Sequence, residues 1–522
     1  MLRFASCLKM SFLYEWVMQQ KQFSKVLIAN RGEIALRLQA ACKQLGMQTV
    51  AVFCQEDGAA LFVKQADQAF RIPGSGYSAY LNMDEIIAVA TKCGAQAIHP
   101  GYGFLSENAV FAKKVLAAGL VWIGPRPELI TLMGDKIAAR HIAADAGVPV
   151  IPGFMIADFS DTGLQLAEKQ AQAIGYPLII KDPLGGGGKG MRKVHAQQDF
   201  IPMLLQVCQQ AKRLSSATVL LVEKYLTNVR HVEVQVVGDG NHAIHLFERD
   251  CSVQRRYQKI IEEAPCCFVS QLVLERMRNL AAHLAQRIKY DNVGTIEYAV
   301  TDDEQFYFLE MNTRLQVEHA VTERVTGIDI VCLQLQLAQK KPLPFIQKDI
   351  TIRGHAIECR IYAEDPENNF IPCAGHLSRF QVPHMPYIRV DHDLAQGGEI
   401  SPFFDPMIAK CVGWALTRQE TCAALQAFLD NAVIEGLKTN KEFLNNLLQH
   451  HLFVEGKLYT ESLSDPVFVS QILTSHLCAH AHDNDYIHAT CALVVALQEK
   501  TKLKNITKQT KTNCIKRRWK EQ

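Results

Sequence analysis

The sequence lacks several features that would assign it to a special class of protein. No apolar run approaches the ~20 residues that a membrane-spanning helix needs. The 16 cysteines include no CxxC pair, which favours reduced thiols in a cytosol-like compartment over a disulfide framework. The net charge of +2 gives no reason to expect a nucleic-acid or membrane partner. The 522 residues, 48% of them hydrophobic, instead indicate a globular enzyme of roughly three or four domains.

Two common phosphate-binding signatures are incomplete. No full dinucleotide-binding fingerprint follows the first predicted strand, and the loosely matching stretch 74–79 follows Pro73, so it is predicted to be a loop. Four glycines, 185–188, precede Lys189, but Gly190 stands where a P-loop has Ser or Thr. These glycines could form a flexible linker or a flap whose N–H groups wrap phosphate oxygens. The apolar strand before them favours the flap.

Hydrophobic patterning predicts two kinds of sheet. A buried strand at 26–29, a helix at 33–45 and a second strand at 49–53 indicate a parallel α/β sheet. Further along, the alternating segments 230–240 and 243–250 are separated by a short turn and indicate an antiparallel sheet. The fold class is therefore predicted to be α/β combined with α+β.

The stretch 306–319 begins as an apolar strand and ends in a run of polar groups. A second strand candidate, 294–300, lies just upstream. If the two close as a hairpin centred between residues 303 and 304, Glu297 lies directly opposite Glu310. At about 5 Å and an effective dielectric near 20, this repulsion is roughly 3 kcal/mol. A divalent cation would reverse it, and oxygen ligands favour magnesium or manganese over zinc.

The residues that follow extend the same polar face. In an extended chain Glu310, Asn312 and Arg314 point one way and offer a carboxylate, an amide oxygen and a guanidinium. A metal held by a few carboxylates and completed by phosphates is the usual magnesium arrangement in phosphoryl transfer. The alternative is a solvated sheet edge, and a slip of one residue would send the carboxylates to opposite faces. The flanking apolar residues favour a buried metal site.

These features combine into a family pattern. The motifs that carry it are Ile28–Ala35, His99–Asn108, Gly134–Lys136, the four glycines, Glu248–Ser252, Gln254–Lys259, Glu310–His319 and Glu358–Arg360. The chain resembles the biotin carboxylase component of biotin-dependent carboxylases, an ATP-grasp ligase, over about residues 25–460. Tyr257 and Ala320 stand where the family usually has histidine and proline, and Asp182–Leu184 is unusual before the glycines.

The resemblance implies a role for each matching residue. The implied ATP-binding residues are Lys136, Lys181, Gly185, Gly186, Gly187, Gly188, Glu223, Lys224, Leu226, His231 and Gln254. The implied metal ligands, for two Mg²⁺ or Mn²⁺ ions, are Glu297, Glu310 and Asn312. The bicarbonate and biotin pocket is implied to contain Lys259, Arg314, Gln316, Val317 and Arg360. Glu318 is implied to deprotonate bicarbonate, and Arg360 to stabilise the biotin enolate, in a catalytic set of Glu318, Arg360, Lys259 and Arg314.

The implied reaction is the ATP-dependent carboxylation of biotin, the first half-reaction of an acyl-CoA carboxylase. Bicarbonate attacks the γ-phosphoryl group to give carboxyphosphate, which decomposes to CO₂ and phosphate. The phosphate removes the N1 proton of biotin, and the enolate captures CO₂. Such intermediates hydrolyse in open water, so a closing glycine-hinged lid is expected.

The resemblance also implies partners and a compartment. Biotin is expected as a substrate on a carrier protein or lobe, not as a group attached to this chain. A carboxyltransferase β subunit and a second copy of the chain are the other expected partners. The expected location is the cytoplasm, or the mitochondrial matrix in a eukaryote.

The expected architecture is an ATP-grasp fold with a Rossmann-like N-terminal domain, a mobile lid and a mixed α/β C-terminal domain. The expected segments are an extension, 1–23; the N-terminal domain, 24–136; connecting helices, 137–152; the lid, 153–225; the catalytic domain, 226–349; the C-terminal domain, 350–460; and the start of a linker domain with a basic tail, 461–522.

The end of the chain departs from long carboxylase α-chains. No Met-Lys-Met sequence, which surrounds biotinyl-lysine in such chains, occurs, so a truncation before the biotinyl lobe is expected. The stretch 401–410 resembles methylcrotonoyl- or geranyl-CoA carboxylase α-chains more than acetyl-CoA carboxylases. Two other functions stay open: another ATP-grasp ligase that activates bicarbonate or a carboxylate, such as a carbamoyl-phosphate synthetase-like enzyme, and an inactive carboxylase scaffold.

Overall fold

The computed structural model describes residues 23–182, 191–214, 219–394 and 397–479. Gly185, Gly186, Gly187 and Gly188, the N-terminal extension up to residue 22 and the basic tail lie outside the described residues. The chain divides into two compact units, residues 1–466 and 467–522. No helix among the described residues is long and apolar enough to cross a membrane.

The chain begins with a five-stranded parallel sheet in the order β3-β2-β1-β4-β5, as the patterning predicts. Its central strands β1, β2 and β4 are short apolar runs buried on both faces, whereas the edge strand β3 is mostly exposed. The elements are β1 Lys25–Ile28, α1 Gly32–Gln44, β2 Gln48–Phe53, α2 Leu61–Gln65, β3 Gln68–Arg71, α3 Gly76–Ala79, α4 Met83–Cys93, β4 Ala97–His99, α5 Ala109–Ala117, β5 Val121–Trp122, α6 Pro127–Gly134 and α7 Lys136–Asp145.

The carboxyl ends of β1 and β4 form two interlocked turns. The Asn30 side chain donates from Nδ2 to the carbonyl oxygens of Pro100 and Tyr102, both at 2.7 Å. Gly101 has a φ of +64°, and a Cβ there would lie 2.8 Å from Asn30 Nδ2, so glycine is required. The loop prediction for 74–79 is wrong in part, because Gly76–Ala79 forms a single helical turn.

A four-stranded antiparallel sheet follows, in the order β6-β9-β7-β8. Two helices pack on it through alanine, leucine and valine side chains. Ile179 pairs with Glu223 and Lys181 with Leu221, so the ends of β7 and β9 lie side by side. The elements are β6 Gly153–Ile156, α8 Asp161–Ile174, β7 Leu178–Lys181, β8 Arg192–Val194, α9 Phe200–Leu214 and β9 Leu220–Lys224.

An eight-stranded antiparallel sheet in the order β14-β13-β10-β11-β12-β15-β22-β20 follows in the chain. The elements of this part of the chain are β10 Arg230–Asp239, β11 Ala243–Arg255, β12 Gln258–Ala264, α10 Gln271–Arg287, β13 Asp291–Val300, β14 Phe306–Asn312, α11 His319–Thr326, α12 Ile330–Ala338, β15 His355–Tyr362, β16 Glu364–Asp365, β17 Ile371–Pro372, β18 Gly375–His376, β19 Arg379–Gln381, β20 Ile388–His392, β21 Glu399–Ile400 and β22 Met407–Ala415. A helix, a short strand and three more helices complete the described chain: α13 Arg418–Asn431, β23 Val433–Glu435, α14 Lys441–Gln449, α15 His451–Val454 and α16 Pro466–Ala479. The strand pairs β16–β17, β18–β21 and β19–β23 form three separate two-stranded sheets.

The β13–β14 hairpin confirms one part of the predicted register and corrects another. Glu297 pairs with Glu310, as predicted. The predicted centre of the turn is wrong, because Tyr298 pairs with Phe308 and the turn-side pairs are shifted by one residue. The extra residue, Leu309, forms a bulge that restores the predicted pairing beyond it. Bulges of this kind often re-aim side chains next to active sites.

A fully buried arginine ties the middle of the eight-stranded sheet together. Arg249 on β11 has no exposed surface, and its Nε donates to Glu233 at 2.6 Å. The same guanidinium donates to Gln235 at 2.8 Å and to Thr295 and Thr322 at 3.0 Å. Such a network is costly to break, because removing one member leaves a buried charge without compensation.

We expect Arg249→Met to lower the free energy of unfolding by about 3–5 kcal/mol, because it leaves the Glu233 carboxylate buried with one fewer partner. Chemical denaturation followed by circular dichroism measures the change. Arg256→Ala is the matched control, since Arg256 is exposed and donates to the Asn369 carbonyl at 3.1 Å; it should change stability by about 0.5 kcal/mol or less. Equal effects of the two substitutions would contradict the role of the Arg249 network.

Candidate active site

A cavity of about 570 Å³ opens between the four-stranded and eight-stranded sheets. Its walls come from β7, β9, the eight-stranded sheet and the segment that follows β14. Every sequence-predicted site residue that the structure describes lines it: Lys136, Lys181, Glu223, Leu226, Lys224, His231, Gln254, Lys259, Glu297, Glu310, Asn312, Arg314, Gln316, Val317, Glu318 and Arg360. The structure therefore brings distant motifs to one place.

A row of three carboxylates crosses the eight-stranded sheet, and two of them, Glu310 and Glu297, line the cavity. Glu310 on β14 pairs with Glu297 on β13, and Glu297 pairs with Glu233 on β10. Glu233 pairs in turn with Arg249 on β11. Directly opposed like charges destabilise a sheet, so this acidic row needs cations.

Lys259 supplies positive charge at the inner end of the acidic row. Its Nζ lies 2.5 Å from Glu233, 3.1 Å from Glu297 and 2.5 Å from Glu318. Burial would lower the pKa of Lys259, but the three carboxylates raise it well above its usual value. Burial would likewise raise the pKa of Glu233, but Lys259 and Arg249 hold it well below its usual range. Both groups are therefore charged at neutral pH.

Glu310, at the outer end of the row, has the opposite balance. Its side chain reaches solvent through the cavity but is surrounded by protein, and this desolvation raises its pKa, with the charge of Glu297 adding to the effect and Lys136 opposing it. Asn312 Nδ2 donates to Glu297 at 2.8 Å, which fixes the Glu297 carboxylate. His231 Nε2 lies 3.4 Å from both Glu233 and Glu297, and one ligand atom of each of these three residues lies within 4.8 Å of the others. The oxygen-rich face at Glu310 fits a hard divalent cation.

An anion pocket lies beside Lys259. Glu318, which is 1% exposed, accepts a hydrogen bond from Arg360 Nη2 at 3.1 Å. Burial would raise the pKa of Glu318, but Lys259 and Arg360 hold it below its usual range. Arg314 Nη1 donates to Gln316 at 3.2 Å, and Arg314 Nη2 donates to the amide oxygen of Asn312 at 2.9 Å. The pocket therefore presents three cationic side chains beside one ionised carboxylate.

Two further contacts fix the backbone around this pocket. The buried Lys410 Nζ donates to the Val317 carbonyl at 2.7 Å. Glu107, which follows β4 of the parallel sheet, accepts from Arg314 Nε at 2.8 Å and from the Thr313 N–H at 3.0 Å. The carboxyl end of the parallel sheet therefore helps to position Arg314.

The other end of the cavity has apolar walls and two more cations. Glu223 accepts from Lys181 Nζ at 2.7 Å and from Arg140 Nη1 at 2.6 Å. Arg140 also donates to the carbonyl of Ile151. The apolar side chains that line the cavity suit a purine ring, and they include Ile151, Ile179, Leu221, Leu226, Ala299, Phe308 and Leu309.

Several residues at the site were missed by reasoning from the sequence. Arg140 lies four residues after Lys136 on α7, so helical spacing places both on one face and could have identified it. Glu233 shares a strand face with His231, which the period of two could have shown. Glu358 lies two residues before Arg360 on β15, so the same period could have shown it, whereas Glu262 contacts Arg360 from β12 and no local pattern identifies it.

The cation-rich stretch 251–259 faces the site only in part. Lys259 lies at the centre of the site, and Gln254 lines the cavity. Arg255 instead pairs with Glu364 at 2.6 Å, and Arg256 lies on the surface. Tyr257 lines the cavity rim and is 56% exposed. Only part of this run of cations therefore faces the site.

Comparison with known proteins accounts for this geometry. The model for the biotin carboxylase N-terminal domain matches residues 22–130, and the one for its C-terminal domain matches 358–465. The model for the ATP-binding domain of the carbamoyl-phosphate synthase L chain matches 135–346. Biotin carboxylase of Halalkalibacterium halodurans is 45% identical over 443 residues, which are 84% of this chain and 96% of that protein. The chain belongs to the biotin carboxylase family.

Other relatives and solved structures agree with this assignment. The mouse mitochondrial methylcrotonoyl-CoA carboxylase subunit alpha is 45% identical over 87% of this chain, but the chain spans only 63% of that relative's length. The Campylobacter jejuni biotin carboxylase complex with β,γ-ATP has a TM-score of 0.81 and 39% identity, covering 85% of this chain and 99% of that one. The biotin carboxylase domain dimer of Hydrogenobacter thermophilus 2-oxoglutarate carboxylase, with MgADP, ADP and bicarbonate, has a TM-score of 0.81, 40% identity and coverage of 86% and 99%. The ATP-grasp fold of this family member is thereby confirmed.

We expect Glu310→Gln to have opposite effects on stability and on ligand binding. Without metal the variant should be more stable by up to about 1 kcal/mol, because the repulsion between Glu297 and Glu310 is removed. It should bind Mn²⁺–ATP at least about tenfold more weakly, because one anionic ligand is lost. Thermal unfolding and electron paramagnetic resonance of Mn²⁺ measure the two effects.

Asp303→Asn is the matched control for this experiment. Asp303 is an exposed acidic residue in the turn of the same hairpin, where it accepts from Thr301 Oγ1 at 2.5 Å. It should change neither Mn²⁺–ATP affinity nor metal-free stability by much. Weaker stability of Glu310→Gln together with unchanged Mn²⁺–ATP affinity would rule out a metal site at Glu310.

Proposed function

We propose that this chain carboxylates biotin with ATP and bicarbonate, and that it performs the first half-reaction of a biotin-dependent carboxylase. The observation that carries the proposal is the meeting, in one cavity, of an acidic row, an anion pocket and an apolar cleft with cations at its rim. Each part suits one component of the reaction: the metal with its phosphates, bicarbonate with biotin, and adenine.

The nucleotide lies with its adenine ring against the apolar surface and its phosphates toward Glu310. Lys181 and Lys136 are the cations placed to neutralise the phosphates. Arg140 keeps the Glu223 carboxylate compensated when Lys181 turns toward a phosphate. Glu297, Glu310 and Asn312 would hold Mg²⁺ or Mn²⁺, which supplies charge neutralisation at the phosphoryl oxygens.

Bicarbonate occupies the pocket between Lys259, Arg314 and Gln316. Glu318 accepts its proton, since this carboxylate is ionised and lies at the edge of the pocket. Lys259 holds Glu318 at 2.5 Å before substrate arrives, so the base is weak in that state. When bicarbonate takes up hydrogen bonds of the Lys259 ammonium, less positive charge remains on Glu318 and its basicity rises. Proton removal is thereby linked to the presence of the substrate.

Arg360 acts on the second substrate. Its guanidinium borders the cavity next to Glu318 and can pair with the negative oxygen of the biotin enolate. Both reactive species, carboxyphosphate and CO₂, then remain between the two sheets. This arrangement supports transfer of CO₂ to biotin without its loss to water.

The partners follow from this chemistry. Biotin is presented by a carrier protein or lobe, and a carboxyltransferase β subunit uses the product. The mouse methylcrotonoyl-CoA and propionyl-CoA carboxylase relatives are 45% and 44% identical to this chain, which fits selection of the acceptor by the carboxyltransferase. A homodimer is proposed because the Hydrogenobacter thermophilus domain is a dimer. The proposed compartment is the mitochondrial matrix in a eukaryote, as in the mouse relative, and otherwise the cytoplasm.

A second candidate function is activation of bicarbonate for a different acceptor, as in a carbamoyl-phosphate synthetase. The match of residues 135–346 to the ATP-binding domain of that enzyme favours it. The match of residues 358–465 to the biotin carboxylase C-terminal domain, which includes Arg360, favours biotin instead. ADP release with ATP, Mg²⁺ and bicarbonate, measured with free biotin or with ammonia, separates the two functions.

We expect ADP release that requires bicarbonate and increases with free biotin. Glu318→Gln should lower kcat by about 10²–10⁴-fold, because it removes the general base. Affinity for ATP, measured by isothermal calorimetry, should change little, since Glu318 lies in the anion pocket and not in the apolar cleft. The control for Glu318→Gln is Glu304→Gln, because Glu304 lies at the distant hairpin turn. Glu323 is unsuitable as a control because it forms ion pairs.

A bicarbonate-dependent activity that ammonia, and not biotin, increases would favour the second function. Bicarbonate-independent ATP hydrolysis that Glu318→Gln leaves unchanged would contradict both. An absence of ATP turnover in a chain that binds Mn²⁺–ATP would favour the inactive scaffold.

A further inference from the structure

Two buried glutamates lie directly behind Arg360. Glu262 on β12 pairs with Glu358 on β15, so the two side chains emerge on one face of the sheet. Both residues have no exposed surface. Neither carboxyl group accepts a hydrogen bond of normal geometry from the described part of the chain, although Arg360 Nη2 contacts Glu262. A pair of buried carboxyl groups with so little hydrogen bonding requires a physical explanation.

The surroundings of the pair contain few donors. Beside it, Ala264 pairs with Ala356 and Glu358 pairs with Val412, and these apolar residues pack against Ala320 and Val321 of α11. Opposed carboxylates about 5 Å apart repel by roughly 3 kcal/mol at an effective dielectric near 20. Burial adds a desolvation cost for each charge. Two ionised groups at this place are therefore strongly disfavoured.

Arg360 provides the main compensating charge for Glu262, whereas Glu358 is compensated first by Lys410 and then by Arg360. It contacts Glu262 through Nη2, and its Nε lies 4.0 Å from Glu358. The same Nη2 is 3.1 Å from Glu318, so one guanidinium faces three carboxyl groups. The other charged or titratable groups that act on Glu262 and Glu358 from the surrounding elements are Lys259 of β12, Cys251 of β11, Cys359 and Tyr362 of β15, Lys410 and Cys411 of β22, Asp391 of β20 and Glu33 of α1.

We propose that Glu262 and Glu358 share one retained proton at neutral pH, and that this proton leaves Arg360 available for the biotin enolate. The inference rests on the proposed function for the role of Arg360. Glu262 and Glu358 are positioning residues, since they act on the substrate through Arg360. With both ionised, two carboxylates draw the guanidinium back toward the sheet. With one protonated, Arg360 remains shared with Glu318 at the cavity.

The titration of these groups supports the proposal. Burial raises the pKa of Glu262 to about 8, against the opposing charge of Arg360. Burial raises the pKa of Glu358 to about 7, against Lys410 and Arg360. An acid with a raised pKa keeps its proton through the neutral range and loses it above that value. The fraction of molecules in which this proton keeps Arg360 available therefore falls above pH 8.

The presence of the retained proton is tested first, in the protein without substrates. Infrared difference spectra of the full chain in the absence of substrates should include a protonated-carboxyl band of this pair at pH 7 that disappears by about pH 9. Glu262→Gln and Glu358→Gln should each remove or shift this band. Glu263→Gln is the matched control, because Glu263 is the adjacent buried acid but is ionised, held by Arg418 at 2.6 Å and His355 at 2.8 Å. It should leave the band unchanged.

The consequence for Arg360 is tested by pH profiles with free biotin at saturating ATP, Mg²⁺ and bicarbonate. In the wild type, kcat/KM for biotin should fall about tenfold per pH unit above pH 8, while the KM for ATP stays level. Glu262→Gln mimics the protonated acid, so it should keep activity within about threefold at pH 7 and lose the alkaline decline. Glu358→Gln gives a second test of the same profile. Glu263→Gln should keep the wild-type profile.

Three outcomes would overturn the inference. A band that is the same in wild type and in both glutamine variants shows that the pair holds no proton. A band lost in Glu262→Gln, with an unchanged biotin profile, shows that the proton does not position Arg360. In the glutamine variants, a change in the KM for ATP as large as the change in kcat/KM for biotin shows a general structural effect. Failure of the proposed function is distinct, because it would appear as no biotin-dependent turnover in the wild type while the infrared result still decides the presence of the proton.

Discussion

The site depends on a line of like charges that the sheet cannot hold without cations. Glu310, Glu297 and Glu233 stand on three successive strands in direct register. Lys259 contacts two of them and Arg249 binds the innermost one. Because opposed carboxylates repel in a sheet, this arrangement persists only with positive charge beside it. A protein that keeps such a row has a place for a further cation.

The compensation of this row is uneven along its length. At the Glu233 end, two protein cations hold the pKa of the carboxyl group well below its usual range, although burial opposes them. At the Glu310 end, burial and the charge of Glu297 outweigh Lys136, and the pKa is raised. The protein thus neutralises the Glu233 end of the row with its own cations and leaves the Glu310 end short of positive charge.

Local patterns in the sequence were sufficient for the parts of the site that are close in the chain. The hairpin placed Glu297 opposite Glu310, although the assumed turn was off by one pair and the bulge at Leu309 compensated. The family motifs identified the other predicted residues that line the cavity, but not Arg140, which lines it as well. Glu262 and Glu358 were not identified, because they meet through pairing of β12 with β15, 96 positions apart in the chain. Pairing of this range is set by the packing of the whole sheet and leaves no local signal.

Because of the same uneven compensation, the two ends of the cavity differ in electrostatic character. Phosphates with their metal are drawn to the Glu310 end, where anionic oxygen is in excess. Small anions are drawn to the other end, where Lys259, Arg314 and Arg360 surround Glu318. Under the proposed function, this gradient would place a γ-phosphoryl group beside bicarbonate, which is the proximity that phosphoryl transfer requires. The proposed orientation of the substrates therefore follows from the charge gradient of the sheet itself.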